Sequence, residues 1–143
     1  MNSSAWQSSA FIWTFDEAGG LYDHVPPVPM PKPDAIAPIL KAGDTNDSFD
    51  KSGLRIPLIV VSPWVKKNYV SHTPRDFTAI LKLIQERFDL PPLTARDAAQ
   101  ASMQEFFDFT TPAWLTPPPL PEQTDRLGRS CDAATDFPLE VAP

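Results

Sequence analysis

A single cysteine, Cys131, leaves the chain without an internal disulfide and gives no sign of an oxidising or a reducing compartment. Lys and Arg are not clustered anywhere and the formal net charge is −6, so the basic face that a nucleic-acid partner requires is missing. No apolar run approaches the ~20 residues needed to cross a bilayer. Residues 1–10 (MNSSAWQSSA) have neither the charged start nor the apolar centre of a signal peptide. The sequence therefore predicts a soluble chain with no transmembrane segment and no export address of its own. Also missing are a glycine-rich phosphate loop, paired cysteines and a serine in a nucleophile-elbow setting. Without them the chain lacks a complete catalytic set.

What is present suits one ordinary domain: 143 residues, 42% apolar and 21% charged. The 18 prolines far exceed the average usage of ~5%, and they gather in two places. Residues 10–15 (AFIWTF) form a short apolar run that stops at Asp16, Glu17 and the Gly19-Gly20 pair, which predicts a buried strand ending in a turn. Residues 26–38 (PPVPMPKPDAIAP) and the polar stretch to Gly53 carry no periodicity and predict a long surface excursion. A second strand is expected within residues 54–65, its centre Leu58, Ile59, Val60 and Val61 lacking polar alternation, as when both sheet faces are covered.

Thr73, Pro74 and Asp76 have the pattern of a helix start, and the helix should reach Phe88. Phe77, Ile80, Leu81, Ile84 and Phe88 share one face, expected to dock on the sheet. Thr94 and Asp97 give a second capping signal for a smaller helix ending near Phe106 and Phe107. Beyond Thr110 the chain is proline-rich and predicts a poorly ordered tail. Two strands and two helices in the order β, β, α, α make a marginal α/β unit by themselves. The chain thus reads as part of a larger domain that begins upstream of Met1.

Asp16 and Glu17 stand at the C-terminal end of a predicted strand, the edge where open α/β sheets place ligands. Successive strand side chains point to opposite faces, so both carboxylates reach one ion only if the backbone turns, which Gly19-Gly20 would permit. Hard oxygen donors of this kind suit Mg, Ca or Mn, and a carboxylate also binds Zn. The same Asp-Glu-x-Gly-Gly composition is equally that of a solvated turn. His24 and His72 are candidates for a phosphate-facing or ligand-supporting role, and each also has the setting of a capping or surface residue.

Four segments taken together, FIWTFDEAGGLYDHVPP, LRIPLIVVSPWVKKNYVSHT, FTAILKLIQERFDLPPLTARDA and EFFDFT, resemble the C-terminal portion of the bacterial phosphoesterase family that contains phospholipases C and acid phosphatases. The resemblance covers about residues 5–111, leaving residues 112–143 as the proline-rich tail. It implies a partial alkaline-phosphatase-like α/β/α sandwich, with these strands and helices belonging to a larger mixed sheet, and metal-assisted hydrolysis of a phosphate-ester substrate. It further implies that Asp16 and Glu17 ligate a divalent metal ion. Ala18 stands where the family usually has a His. His24 and His72 match family histidines in the DHVPP and YVxHT contexts. The family's acidic-Asn signature and hydroxyl nucleophile have no counterpart here, so the resemblance implies a fragment that is inactive alone and is completed by a missing N-terminal half. The competing class is a non-catalytic remnant, or a binding module whose TPPPLPEQ segment engages a partner in polyproline form.

Overall fold

The computed structural model describes residues 1, 3–18, 22–45 and 48–121. Gly19-Gly20, Cys131 and the end of the proline-rich segment fall outside them.

The two expected strands form and pair with each other. Strand β1 (Phe11–Thr14) runs antiparallel to β2 (Leu58–Val61), with Phe11 opposite Val61 and Thr14 opposite Leu58. The chain reverses between them because the proline-rich excursion is closed at its base. Met30 N–H donates to the Asp50 carbonyl at 2.8 Å and Ser52 N–H to the Val28 carbonyl at 2.8 Å. The strands' apolar composition led to the expectation of burial on both faces, yet Phe11 is 60% and Ile59 52% exposed. A two-stranded sheet has two free edges, and no described segment packs over its outer face.

The core lies instead beyond β2, where Trp6, Ala79, Met103 and Phe107 are buried. Segment 62–66 is held against segment 106–108 by Lys66 N–H to the Phe106 carbonyl (2.9 Å) and Asp108 N–H to the Trp64 carbonyl (2.7 Å). Trp6 Nε1 donates to the Trp114 carbonyl at 2.9 Å, and Trp64 Nε1 to that of Gln7 at 2.9 Å. Both ends of the described chain are thereby tied to one patch.

Helix α1 (Thr78–Phe88) begins later than the Thr73-Pro74 pattern predicts. Residues 71–76 stay outside the helix, with Arg75 engaged elsewhere, and the first turn is supported by Asp76, whose Oδ1 accepts from Thr78 N–H at 2.8 Å. Helix α2 (Ala95–Ala98) carries the anticipated cap, with Thr94 and Asp97 bonding reciprocally to each other's backbone N–H groups. It spans one turn only. Met103–Phe106 is a separate 3-10 turn, capped by Ser102, since the carbonyls of Ala101 and Ser102 are taken by Arg75 instead of continuing a helix. α1 packs on α2 and on this 3-10 turn. Its apolar face does not dock on the sheet as expected: Leu81, Ile84 and Phe88 are all exposed.

Candidate functional site

β1 ends at Thr14, whose hydroxyl donates to the Pro57 carbonyl at 2.8 Å and so closes the strand pair at this end. Asp16 and Glu17 follow in a bend, both exposed. Glu17 N–H donates to Asp16 Oδ1 at 3.1 Å. That leaves one Asp16 oxygen and both Glu17 oxygens without a hydrogen bond among the described residues.

The bend forms part of the rim of an open cleft of about 1050 Å³. One wall is β2 together with the base of the proline-rich excursion. The other is segment 65–77, backed by Met103 and Phe106. His72 lines this second wall, so the cleft brings Asp16, Glu17 and His72 to one space. His24 does not join them. Its side chain is 83% exposed and its Nδ1 lies 3.6 Å from Asp23 Oδ1, outside the cleft lining.

The neighbour of His24 carries a stronger interaction. Asp23 accepts from Arg55 Nε at 2.7 Å and from Arg55 Nη2 at 2.8 Å, a two-pronged pair. It also accepts from the backbone N–H of Val25 and of Arg55. The Arg55 guanidinium holds the Asp23 carboxyl well below the usual carboxylate range. This pair fastens the start of the excursion to the approach to β2, and Arg55 lines the same cleft as the acidic bend.

A second network supports the opposite wall. Glu105 accepts from the Ser71 hydroxyl and pairs with Arg75 Nη2 at 2.9 Å. The Ser71 hydroxyl, against the opposing effect of burial, draws the Glu105 carboxyl below its ordinary value, with the Arg75 charge adding to it. Sequence reasoning missed Asp23, Arg55, Arg75 and Glu105. Asp23 stands in the quoted DHVPP motif, but its partner is 32 residues away, and no local pattern announces a pair at that distance.

A hard divalent cation needs six or more oxygen ligands, some of them water. Among the described residues no group of three or more His, Cys, Asp and Glu side chains is placed to hold a metal. The chemistry of Asp16 and Glu17, two adjacent exposed carboxylates, fits part of such a shell. The rest would come from water or from groups beyond those described.

The phosphoesterase family model matches residues 1–91. The chain is 34% identical over 134 residues to non-specific phospholipase C1 of Arabidopsis thaliana, an alignment covering 85% of this chain and 25% of that protein. It is 36% identical over 122 residues to phospholipase C B of Mycobacterium tuberculosis, covering 78% and 23%. With non-hemolytic phospholipase C of Burkholderia pseudomallei it shares 31% identity over 139 residues, covering 85% and 19%. The chain thus spans about a quarter or less of the length of these curated relatives.

Proposed function

Because the chain belongs to the phosphoesterase family, we propose that it is the C-terminal part of a metal-assisted phosphoester hydrolase, with residues 1–111 forming the end of the hydrolase domain and residues 112–143 a proline-rich tail. The observation that carries this reading is the acidic pair at the end of β1 on the rim of the cleft. Asp16 and Glu17 would hold a divalent cation, which when bound supplies positive charge for the phosphoryl oxygens. Asp23 and Arg55 tie the start of the excursion to the approach to β2, and His72 lines the same cleft as a candidate phosphate contact. The names of the similar proteins favour a phospholipid phosphodiester as substrate. An α/β/α sandwich of the alkaline-phosphatase type would supply the cover that the outer face of the sheet and the apolar face of α1 need. No membrane-crossing helix occurs among the described residues.

The nucleophile is assigned to a segment beyond these residues, and the Ser71 hydroxyl of the cleft is already committed. Ser71 donates to Glu105 while accepting from Arg75 and from Thr73 N–H, which uses the full capacity of a hydroxyl. The test is turnover of a chromogenic phosphocholine ester with Mn, Ca or Zn. The chain alone should match a metal-only control, and the longer enzyme that contains it should be active and lose activity on Asp16→Asn. Hydrolysis by the isolated chain that Asp16→Asn abolishes would contradict the assignment of the nucleophile to another segment.

A further inference from the structure

Arg75 lines the cleft beside His72, and in a phosphoester site the simplest role for an arginine is to grip phosphate directly. Its hydrogen bonds argue against that role. Nε donates to the Ala101 carbonyl at 3.1 Å. Nη1 donates to Ser71 Oγ at 3.0 Å and to the Thr73 carbonyl at 3.1 Å. Nη2 donates to the Ser102 carbonyl at 2.7 Å and meets Glu105 Oε1 at 2.9 Å. Four of the five N–H donors of the guanidinium are therefore hydrogen-bonded within the chain, and its charge is paired with Glu105. The side chain is 10% exposed, and one face lies over the Phe106 ring at 5.6 Å.

We propose that Arg75 is a positioning residue, not a phosphate ligand: with Glu105 it clamps Ser71 and Thr73 from both sides and so presents His72, the residue between them, to a phosphoryl group in the cleft. The clamp joins three pieces. Arg75 reaches the hydroxyl of Ser71 and the carbonyl of Thr73, Glu105 accepts from the Ser71 hydroxyl, and the carbonyls of Ala101 and Ser102 hold Arg75 from the far side. His72 itself makes no bond to the clamp. Its ring is left exposed to the cleft while its two neighbours are fixed. A lysine keeps the charge but has neither the planar fork nor enough donors to make these bonds. The proposal rests on the reading of the cleft as a phosphoester site.

The chain has two histidines, so imidazole NMR spectra of the 143-residue protein should contain one His72 and one His24 ring signal. Without ligand, Arg75→Lys and Glu105→Gln should each shift or broaden the His72 signal and leave that of His24, which sits beside the Asp23–Arg55 pair, as an internal check of folding. On titration with inorganic phosphate, His72 should move in the unaltered chain and lose that response in both variants. Direct phosphate binding by Arg75 predicts otherwise: Arg75→Lys would keep part of the response, and Glu105→Gln, which frees the guanidinium, would strengthen it. Either result overturns the proposal, as does a His72 signal unchanged in both variants before phosphate is added. If the ligand-free changes occur but His72 of the unaltered chain ignores phosphate, the clamp stands as a structural unit, and both the phosphoester reading of this wall and the role assigned to His72 fail.

Discussion

Asp97 and Asp16 are carboxylates in opposite surroundings. Asp97 is 1% exposed and accepts from Gln85 Nε2 at 2.6 Å, from Leu93 N–H at 2.8 Å and from Thr94 N–H at 2.7 Å. Burial raises its carboxyl, but the bonds from Thr94, Gln85 and the backbone outweigh it and hold the group well below its ordinary 3.8. Asp97→Ala removes a helix cap and strands these donors, so a loss of about 2 kcal/mol is expected in urea unfolding. The sign of the pH effect follows from the lowered value. The unfolded chain takes up the proton more readily, so the stabilisation is complete above the ordinary value and is lost as the pH falls below 3.8. The alanine variant should therefore lose less stability than the unaltered chain on acidification through that range. Asp16, by contrast, is exposed and, among the described residues, bonded only to the next residue's N–H, the setting of a group available to a ligand rather than to the fold.

Arg96 shows how an element barely one turn long can organise a long excursion. From α2 it pairs with Asp76 at the start of α1, and donates to the carbonyls of Pro31 (3.1 Å), Phe49 (2.8 Å) and Lys51 (3.1 Å). Ala95 N–H adds a bond to the Pro33 carbonyl at 3.0 Å. Arg96→Ala should accelerate amide exchange at Met30 and Ser52, which bond across the base of the excursion, while β1 and β2 keep theirs; equal exchange before and after the substitution would contradict this anchoring. The α2 cap was legible in the sequence because Thr94 and Asp97 satisfy each other within three residues. The start of α1 differs from the sequence pattern because Thr73 and Pro74 also suit a cap, whereas here Arg75 next to them reaches residues 26 and 27 positions ahead. The strand-end location of Asp16 and Glu17 was legible for the same local reason. Nothing local distinguishes His24 from His72: the two part company only through the tertiary walls of the cleft.

At the scale of the whole molecule, apolar side chains on β1, β2 and α1 remain uncovered, among them Phe11, Ile59, Ile84 and Phe88. Exposed apolar faces and free strand edges favour association. Size-exclusion chromatography should accordingly show concentration-dependent self-association, and Ile84→Lys together with Phe88→Lys should reduce it; a compact monomer at every concentration would contradict the claim that these faces expect a covering partner. The same incompleteness explains why Asp16 and Glu17 would bind a cation weakly in this chain, since two carboxylates leave most of the shell to water. Weak binding is still readable when the ion is paramagnetic. The most direct test of the account is therefore a Mn titration of the isotope-labelled chain, following loss of amide signals by NMR. The account predicts that broadening begins at Asp16, Glu17 and Ala18 and disappears in Asp16→Asn. Broadening that starts elsewhere, for instance at Asp44 or Asp50, or that is the same in Asp16→Asn, would contradict the assignment of the acidic bend as the metal-holding part of a phosphoester hydrolase site.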